Sequence, residues 1–384
     1  MRSARSGLSA ILGRQLGRKP FHGLASRYLA RRFPFRSRRR MCIYYESDAI
    51  SMTQIYPFLL YEREISAACD MDIRCIPVAR LLDGEIPREA DVSLLQAWFT
   101  VDGDALQAAA ERLRQRSGRV GFIDAFAHND LRLARHLGSN VDFYLKKSLF
   151  RDRSLYYRPF RGDTNLTEFY QQLYDLPGEP VDWQVPEGFT DRLRLSPNFF
   201  TAPRLLHSFE TQSPPDPDSK NVDLHARLGL GPDNGSWYRR MREDALARVD
   251  ALSDRMAVAC RGRVERSQYM AELRASKLCF SPFGYGELCW RDIEAILAGA
   301  VLIKPDMGHL ETLPDLYEPG VTYLPVRWDF ADLEDVVYNA LAEPSRCLQI
   351  AQAALNRIQS YLSGRRFVAD FSSQLAISRD IMEI

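Results

Sequence analysis

The segment from Ser276 to Met307, SKLCFSPFGYGELCWRDIEAILAGAVLIKPDM, restricts the fold of this chain more than any other. Lys277 to Ser281 is a short apolar run. Gly284 and Gly286, flanking Tyr285, then break it with a loop whose missing Cβ atoms let another group approach the backbone. From about Glu287 to Ala298 the spacing turns helical, Gly299 suits the position after a helix C-terminus, and Ala300 to Lys304 (AVLIK) reads as a second buried strand. Strand, glycine loop, helix and strand make one βαβ unit, which belongs in a parallel sheet covered on both faces.

The free amides and the dipole at a helix N-terminus favour an anion, so the turn predicts a diphosphate seat. Glu287, Arg291 and Glu294 fall at i, i+4 and i+7 and share one face, while Ile293, Ile296 and Leu297 face the sheet. Glu287 and Arg291 alone also suit an ordinary exposed ion pair. Glu294, beside Ala295 on a glycine-ended helix, is less easily read that way.

The run SPFGYGE…RDIEAILAGAVLIKPD resembles the donor-binding segment of GT-B glycosyltransferases, most closely the exostosin-like group with its S-K-x-C…P-x-G-x-G…R-x-x-E-A…G-x-x-P-V pattern. The resemblance covers roughly the last third of the chain. It implies two Rossmann-like α/β domains facing a cleft, with C-terminal helices crossing back over the first. It also gives Glu294 the ribose of a sugar nucleotide and puts Gly284, Gly286 and Arg291 near the diphosphate, with Tyr285 of the same loop among the donor-binding residues. Phe283 stands where that group has arginine, so no phosphate contact carries over to that position.

A chain of 384 residues suits two domains, each large enough for its own core. The domains are expected at 41–190 (acceptor) and 191–365 (donor), preceded by a basic, flexible extension over 1–40 and followed by a returning helix over 366–384. The net charge of +1 hides an asymmetry: twelve cations, Arg2 to Arg40, precede the first acid, Glu46. They leave 39 of the 51 basic residues against 50 acids, so the body carries about −11.

Such a lead fits a disordered or tag-like extension, a surface for anionic lipid, or a targeting or nucleic-acid-binding segment. Phe21, Leu24, Tyr28 and Leu29 interleave with Arg27, Arg31 and Arg32, as in a basic amphipathic helix lying on a membrane. No apolar run approaches the roughly eighteen residues of a spanning helix. Seven cysteines, an odd number without CxxC or Cys/His spacing, point to buried thiols in a reducing compartment and to no structural zinc. The expectation is a cytoplasmic protein, at most peripheral to a membrane.

Met41 to Tyr45, Ile73 to Val78, Val92 to Trp98, Val120 to Asp124 and Val141 to Leu145 read as strands alternating with helices, which predicts a first parallel sheet. Ligands of such sheets lie off the carboxyl ends of the strands. That singles out Glu46 to Asp48, Phe99, Thr100, Asp124, Phe126, His128, Asn129, Lys146 and Lys147. Periodicity fails from about Arg151 to Pro217. Asp216 and Asp218 form a D-x-D, but in a proline-rich loop with no strand before it, so no metal role is assigned. Val222 to Leu228 opens a second βα unit with Arg227 at its end.

Sugar transfer needs the leaving diphosphate stabilised and an acceptor hydroxyl positioned and, in inverting enzymes, deprotonated. With no metal and no cofactor expected, the cations fall to Arg227, Lys277, Arg291 or Lys304, although Lys304 also reads as a strand-end lysine. His128 is the first candidate base and Asp124 the second, and His309 is placed to touch the donor sugar. Each histidine also has a purely structural reading. The chain is thus expected to move a sugar from a nucleotide-sugar donor to a glycan or glycolipid acceptor of a surface polysaccharide, without nucleic acid as partner. A nucleotide-sugar epimerase of the same fold and a non-catalytic binding or scaffold protein are the alternatives. A Rossmann oxidoreductase is disfavoured because no G-x-G-x-x-G follows Met41 to Tyr45.

Overall fold

The computed structural model describes residues 8–14, 19–34, 39–212, 219–232 and 234–374. The D-x-D of Asp216 and Asp218 lies outside them, as do parts of the basic lead and residues 375–384. The chain opens with β1 (Arg39–Tyr45), β2 (Met71–Pro77), β3 (Ala90–Gln96), β4 (Ser117–Ile123) and β5 (Phe143–Lys146). Short strands β6 (Ser148–Phe150), β7 (Phe160–Arg161), β8 (Pro180–Val181) and β9 (Leu193–Leu195) follow. The second half holds β10 (Val222–His225), β11 (Val258–Ala259), β12 (Ser276–Phe280), β13 (Val301–Pro305), β14 (Leu310–Thr312) and β15 (Leu324–Val326).

One sheet runs β2-β1-β3-β4-β5-β9 and the other β11-β10-β12-β13-β15, with parallel neighbours throughout. β1, β3 and β13 are almost wholly buried, as strands covered by helices on both faces must be. In each sheet the second strand lies outside the first and the third crosses to its other side. The strand order therefore reverses between β1 and β3, and again between β10 and β12, and crevices form off such points. This is the two-domain α/β architecture the sequence implied.

Several boundaries differ from the sequence reading. β9 completes the first sheet by pairing with β5, so the first domain runs past 191 to the Leu206–Thr211 helix. The irregular stretch after Arg151 contains a helix, Asn165–Leu173, capped by Thr164, which is too short to declare itself by periodicity. The basic lead was expected to be flexible, yet its described parts form helices Leu8–Gly13 and Lys19–Leu29. These bury Ala10, Ala25 and Leu29, and Arg74 and Arg88 hold the Ala30, Arg31 and Arg32 carbonyls. Among the described residues no helix is long and apolar enough to cross a membrane.

The domains are tied together across the seam. β6 of the first pairs antiparallel with β14 of the second, and Arg153 meets Glu311 at 2.9 Å. The Pro344–Ser363 and Arg366–Gln374 helices return to the first domain, where Phe58 packs edge-on against Phe367 and Phe371 at 5.0 and 4.9 Å. Gly286 also lies close against the first domain: a Cβ there would lie 1.9 Å from the Ala127 carbonyl oxygen. Gly286→Ala is expected to force this seam apart at a cost of about 1–3 kcal/mol, read as a lowered denaturation midpoint. An unchanged midpoint would contradict the contact.

Candidate active site

Both switch points open toward the same seam. The second sheet contributes the loop Ser281–Cys289 and the helix Trp290–Ala298, which begins three residues later than the spacing suggested. Glu287 therefore belongs to the loop and does not share a helix face with Arg291 and Glu294. Asp292 fixes the loop. Fully buried, its Oδ1 accepts from Ser281 Oγ (2.6 Å) and Lys304 Nζ (3.2 Å), and its Oδ2 accepts from Cys289 N (3.0 Å) and Tyr317 OH (2.8 Å). Asp292 thus caps its own helix, so a carboxylate already stands where the sequence suggested a diphosphate.

Many of the expected cations are engaged within the fold. Lys304 is fully buried, paired with Asp292 and bonded to the Ser281 carbonyl, so it points into the core. Arg227 forms a two-pronged pair with Glu272 and holds the Gly262 carbonyl at 3.1 Å. Arg291 donates to the Arg227 carbonyl at 2.6 Å and bonds Tyr269. Lys277 pairs with Asp223 at the beginning of β12, the end of the sheet away from the cleft. Sequence reasoning saw charge in each case but could not see the partner.

Glu294 fares differently. Its side chain is 4% exposed, and its partners are two half-exposed arginines, Arg266 at 2.8 Å and Arg204 at 3.7 Å. Arg204 also lies over the Trp290 ring, which stacks on Phe199 from the first domain at 4.5 Å. Neither arginine was singled out from the sequence, because no spacing links them to Glu294. Gly284 donates its amide to the Gly286 carbonyl, turning the loop tightly, and Tyr285 is exposed and stacked on Tyr238 at 4.3 Å.

The first domain meets this loop through Asp124–Asp130. Asp124 is an unsuitable base: Tyr144 OH (2.7 Å), Lys146 Nζ (2.6 Å) and Phe126 N (2.8 Å) occupy its carboxylate. His128 is oriented by a partner the sequence did not reveal, with Nδ1 lying 2.7 Å from Asp163 Oδ2. Burial alone would raise the Asp163 carboxyl, but hydrogen bonds and charge from His128 and Arg132 bring it down to about 2. Across the seam, Glu287 is buried 3.5 Å from His309 Nε2. Against the effect of burial, His309 and His128 hold its carboxyl below the usual range, as an anion. Lys147 is buried over the Phe199 ring, and burial brings its amine down to about 7.

His128, Glu287 and His309 are thus brought together from two domains. Glu287 Oε1 and His309 Nε2 face each other there at 3.5 Å without a well-formed hydrogen bond, and the Asn129 amide nitrogen is buried without a partner. Such atoms are costly unless a ligand or solvent completes them. His128, Asp130 and Asp163 offer ligand atoms within 4.8 Å of one another, spacing a metal ion would accept. Arg132 already stands there as the cation, 2.6 Å from Asp130 and 2.9 Å from Asp163.

Comparison with known proteins agrees with the second half of this picture. Residues 231–372, from the loop after β10 to the returning helix, match the model of the family described as glycosyl transferase-like. The match does not reach as far as the exostosin-like group. Anabaena Alr3699/HepE, solved in complex with UDP, is 14% identical over 88% of this chain and 98% of its own, with a TM-score of 0.45. An alpha-glucosyltransferase solved with UDP-glucose and DNA containing an abasic site is 12% identical over 88% and 99%, with a TM-score of 0.44. Likenesses this distant carry no argument, and the two-domain α/β arrangement rests on the chain's own two sheets. No characterised protein matched the sequence.

The Asp292–Lys304 pair yields a direct test of the loop's support. Lys304→Met strands a buried carboxylate and is expected to cost about 3–5 kcal/mol in denaturant unfolding. Adding Asp292→Leu should recover part of the loss, because the two side chains act as one unit. Additive losses would contradict the coupling.

Proposed function

We propose that the protein is a metal-independent GT-B glycosyltransferase moving a sugar from a nucleotide-sugar donor to a hydroxyl of a glycan or glycolipid. The observation that carries this reading is the meeting of the His128–Asp163 pair with the glycine loop of the glycosyl transferase-like domain, where Gly286 touches Ala127. The donor lies against the second domain. Glu294 takes the ribose hydroxyls, and Arg204 and Arg266, now paired with that carboxylate, are the nearest cations for the diphosphate. Charge already supplied by Arg132 at His128, Asp130 and Asp163 supports metal independence.

His128 accepts the acceptor proton at Nε2 while Asp163 fixes the ring through Nδ1 and stabilises the imidazolium that forms. The Glu287 carboxylate, across the seam, offsets the positive charge that develops on the donor sugar at bond cleavage. Seven free thiols suit a reducing, cytoplasmic setting.

Glu294→Ala is expected to abolish nucleotide-sugar binding in a calorimetric titration while leaving the melting temperature intact; undiminished binding would sink the ribose assignment. His128→Ala should lower kcat by about 10²–10⁴-fold with donor affinity retained, and Asp163→Asn by less. A kcat unaffected by His128→Ala would remove it as the base.

A further inference from the structure

The donor chemistry leaves unused a run of aromatic side chains off the carboxyl ends of β3 and β4. Trp98 packs on Phe99 (5.2 Å), Phe99 stacks on Phe126 (3.8 Å, 28° between planes), and Phe126 leans on the His128 ring at 4.8 Å. The Arg132 guanidinium sits over Phe126 at 4.2 Å and over Trp183 at 4.4 Å, and Trp183 Nε1 donates to the Asp163 carbonyl. Trp98, Phe99, Phe126 and Trp183 are all partly exposed. The arc therefore starts at the crevice where the first sheet reverses its strand order, between β1 and β3, and ends at the imidazole.

Partly open aromatic surface at a switch point is costly to leave in water and marks a ligand site. Its surroundings decide the ligand. Glu46, which takes a hydrogen bond from the Trp98 backbone amide, and Asp48 beside it rim the β1 end. Asp130 and Asp163 flank the other end, and their negative charge is met there by Arg132. The uncompensated charge at the β1 end, Glu46 and Asp48, disfavours a phosphate-rich strand and leaves carboxylate oxygens that accept from hydroxyls. Rings with a negative face attract the weakly positive C–H face of a pyranose.

We infer that the arc from Trp98 to His128 is a subsite for a neutral oligosaccharide, which lays its sugar faces on Trp98 and Phe99 and presents a hydroxyl to His128. The inference rests on the transferase reading and gives its acceptor a chemical class. The arc extends through three ring contacts, so it accommodates more than a single sugar ring.

The test is calorimetric titration of the full chain with neutral disaccharides of gluco, galacto, manno and N-acetylglucosamine configuration, and separately with a nucleotide sugar. Trp98→Ala and Phe99→Ala avoid the His128–Asp163 pair, and a thermal melt confirms that each folds. The inference expects a disaccharide to bind the wild type and to lose at least tenfold in affinity in both variants, with nucleotide-sugar affinity unchanged. It is overturned if the variants bind disaccharide as the wild type does, if none of the four binds, or if a single-stranded oligonucleotide occupies the arc in preference. Absence of nucleotide-sugar binding to the wild type would instead remove the transferase reading.

Discussion

The buried pair of Asp292 and Lys304 holds the glycine loop in place, and most of what surrounds the seam depends on that loop. One carboxylate ties together the end of β12 through Ser281, the start of the Trp290 helix through Cys289, β13 through Lys304, and the loop before β15 through Tyr317. A charge pair this deep is weak as a source of net stability, because desolvation offsets its attraction. It does fix geometry: each of four segments meets the same two oxygens, which leaves the loop a single arrangement. That arrangement brings Gly286 against Ala127 and sets Glu287 beside His309.

Two sheets with the same opening topology then meet at one seam, and the two sides of that seam differ in chemistry. The second switch point, between β10 and β12, supplies carboxylate and arginine chemistry suited to a charged donor, centred on Glu294, Arg204 and Arg266. The first, between β1 and β3, supplies aromatic surface and an oriented imidazole suited to an uncharged, hydroxyl-bearing partner. The antiparallel pair of β6 and β14 and the returning C-terminal helices keep the two halves in register. The basic lead reinforces the first domain, since its described helices bury Ala10, Ala25 and Leu29 against it.

How much of this the sequence disclosed follows from the range of each interaction. The β12–helix–β13 unit was legible because strand period, glycine break and helical spacing are all local, and helical spacing put Glu294 on that helix, while its ribose role came from the family resemblance. Long parallel strands were legible for the same reason, whereas β9 was missed because three residues have no period. His128 could be named from its place after β4, yet Asp163, 35 residues on in an aperiodic stretch, gave no signal. Lys304, Arg227 and Arg291 looked like free cations because a sequence shows charge without showing its partner. Lys277 is a different kind of miss. It begins its strand, and in a parallel sheet that end points away from the ligand. Gly286 was noticed for the right reason, close backbone approach, but the approaching group is the Ala127 carbonyl of the other domain.

The central claim is that a nucleotide donor sits at the second switch point, between the glycine loop and Glu294. Hydrogen–deuterium exchange of the full chain with and without a saturating nucleoside diphosphate tests it most directly. The account predicts slowed exchange concentrated in residues 261–266 and 281–294, with the β2 edge of the first sheet unaffected. Unchanged exchange in those two stretches, or protection confined to the first domain, would contradict it.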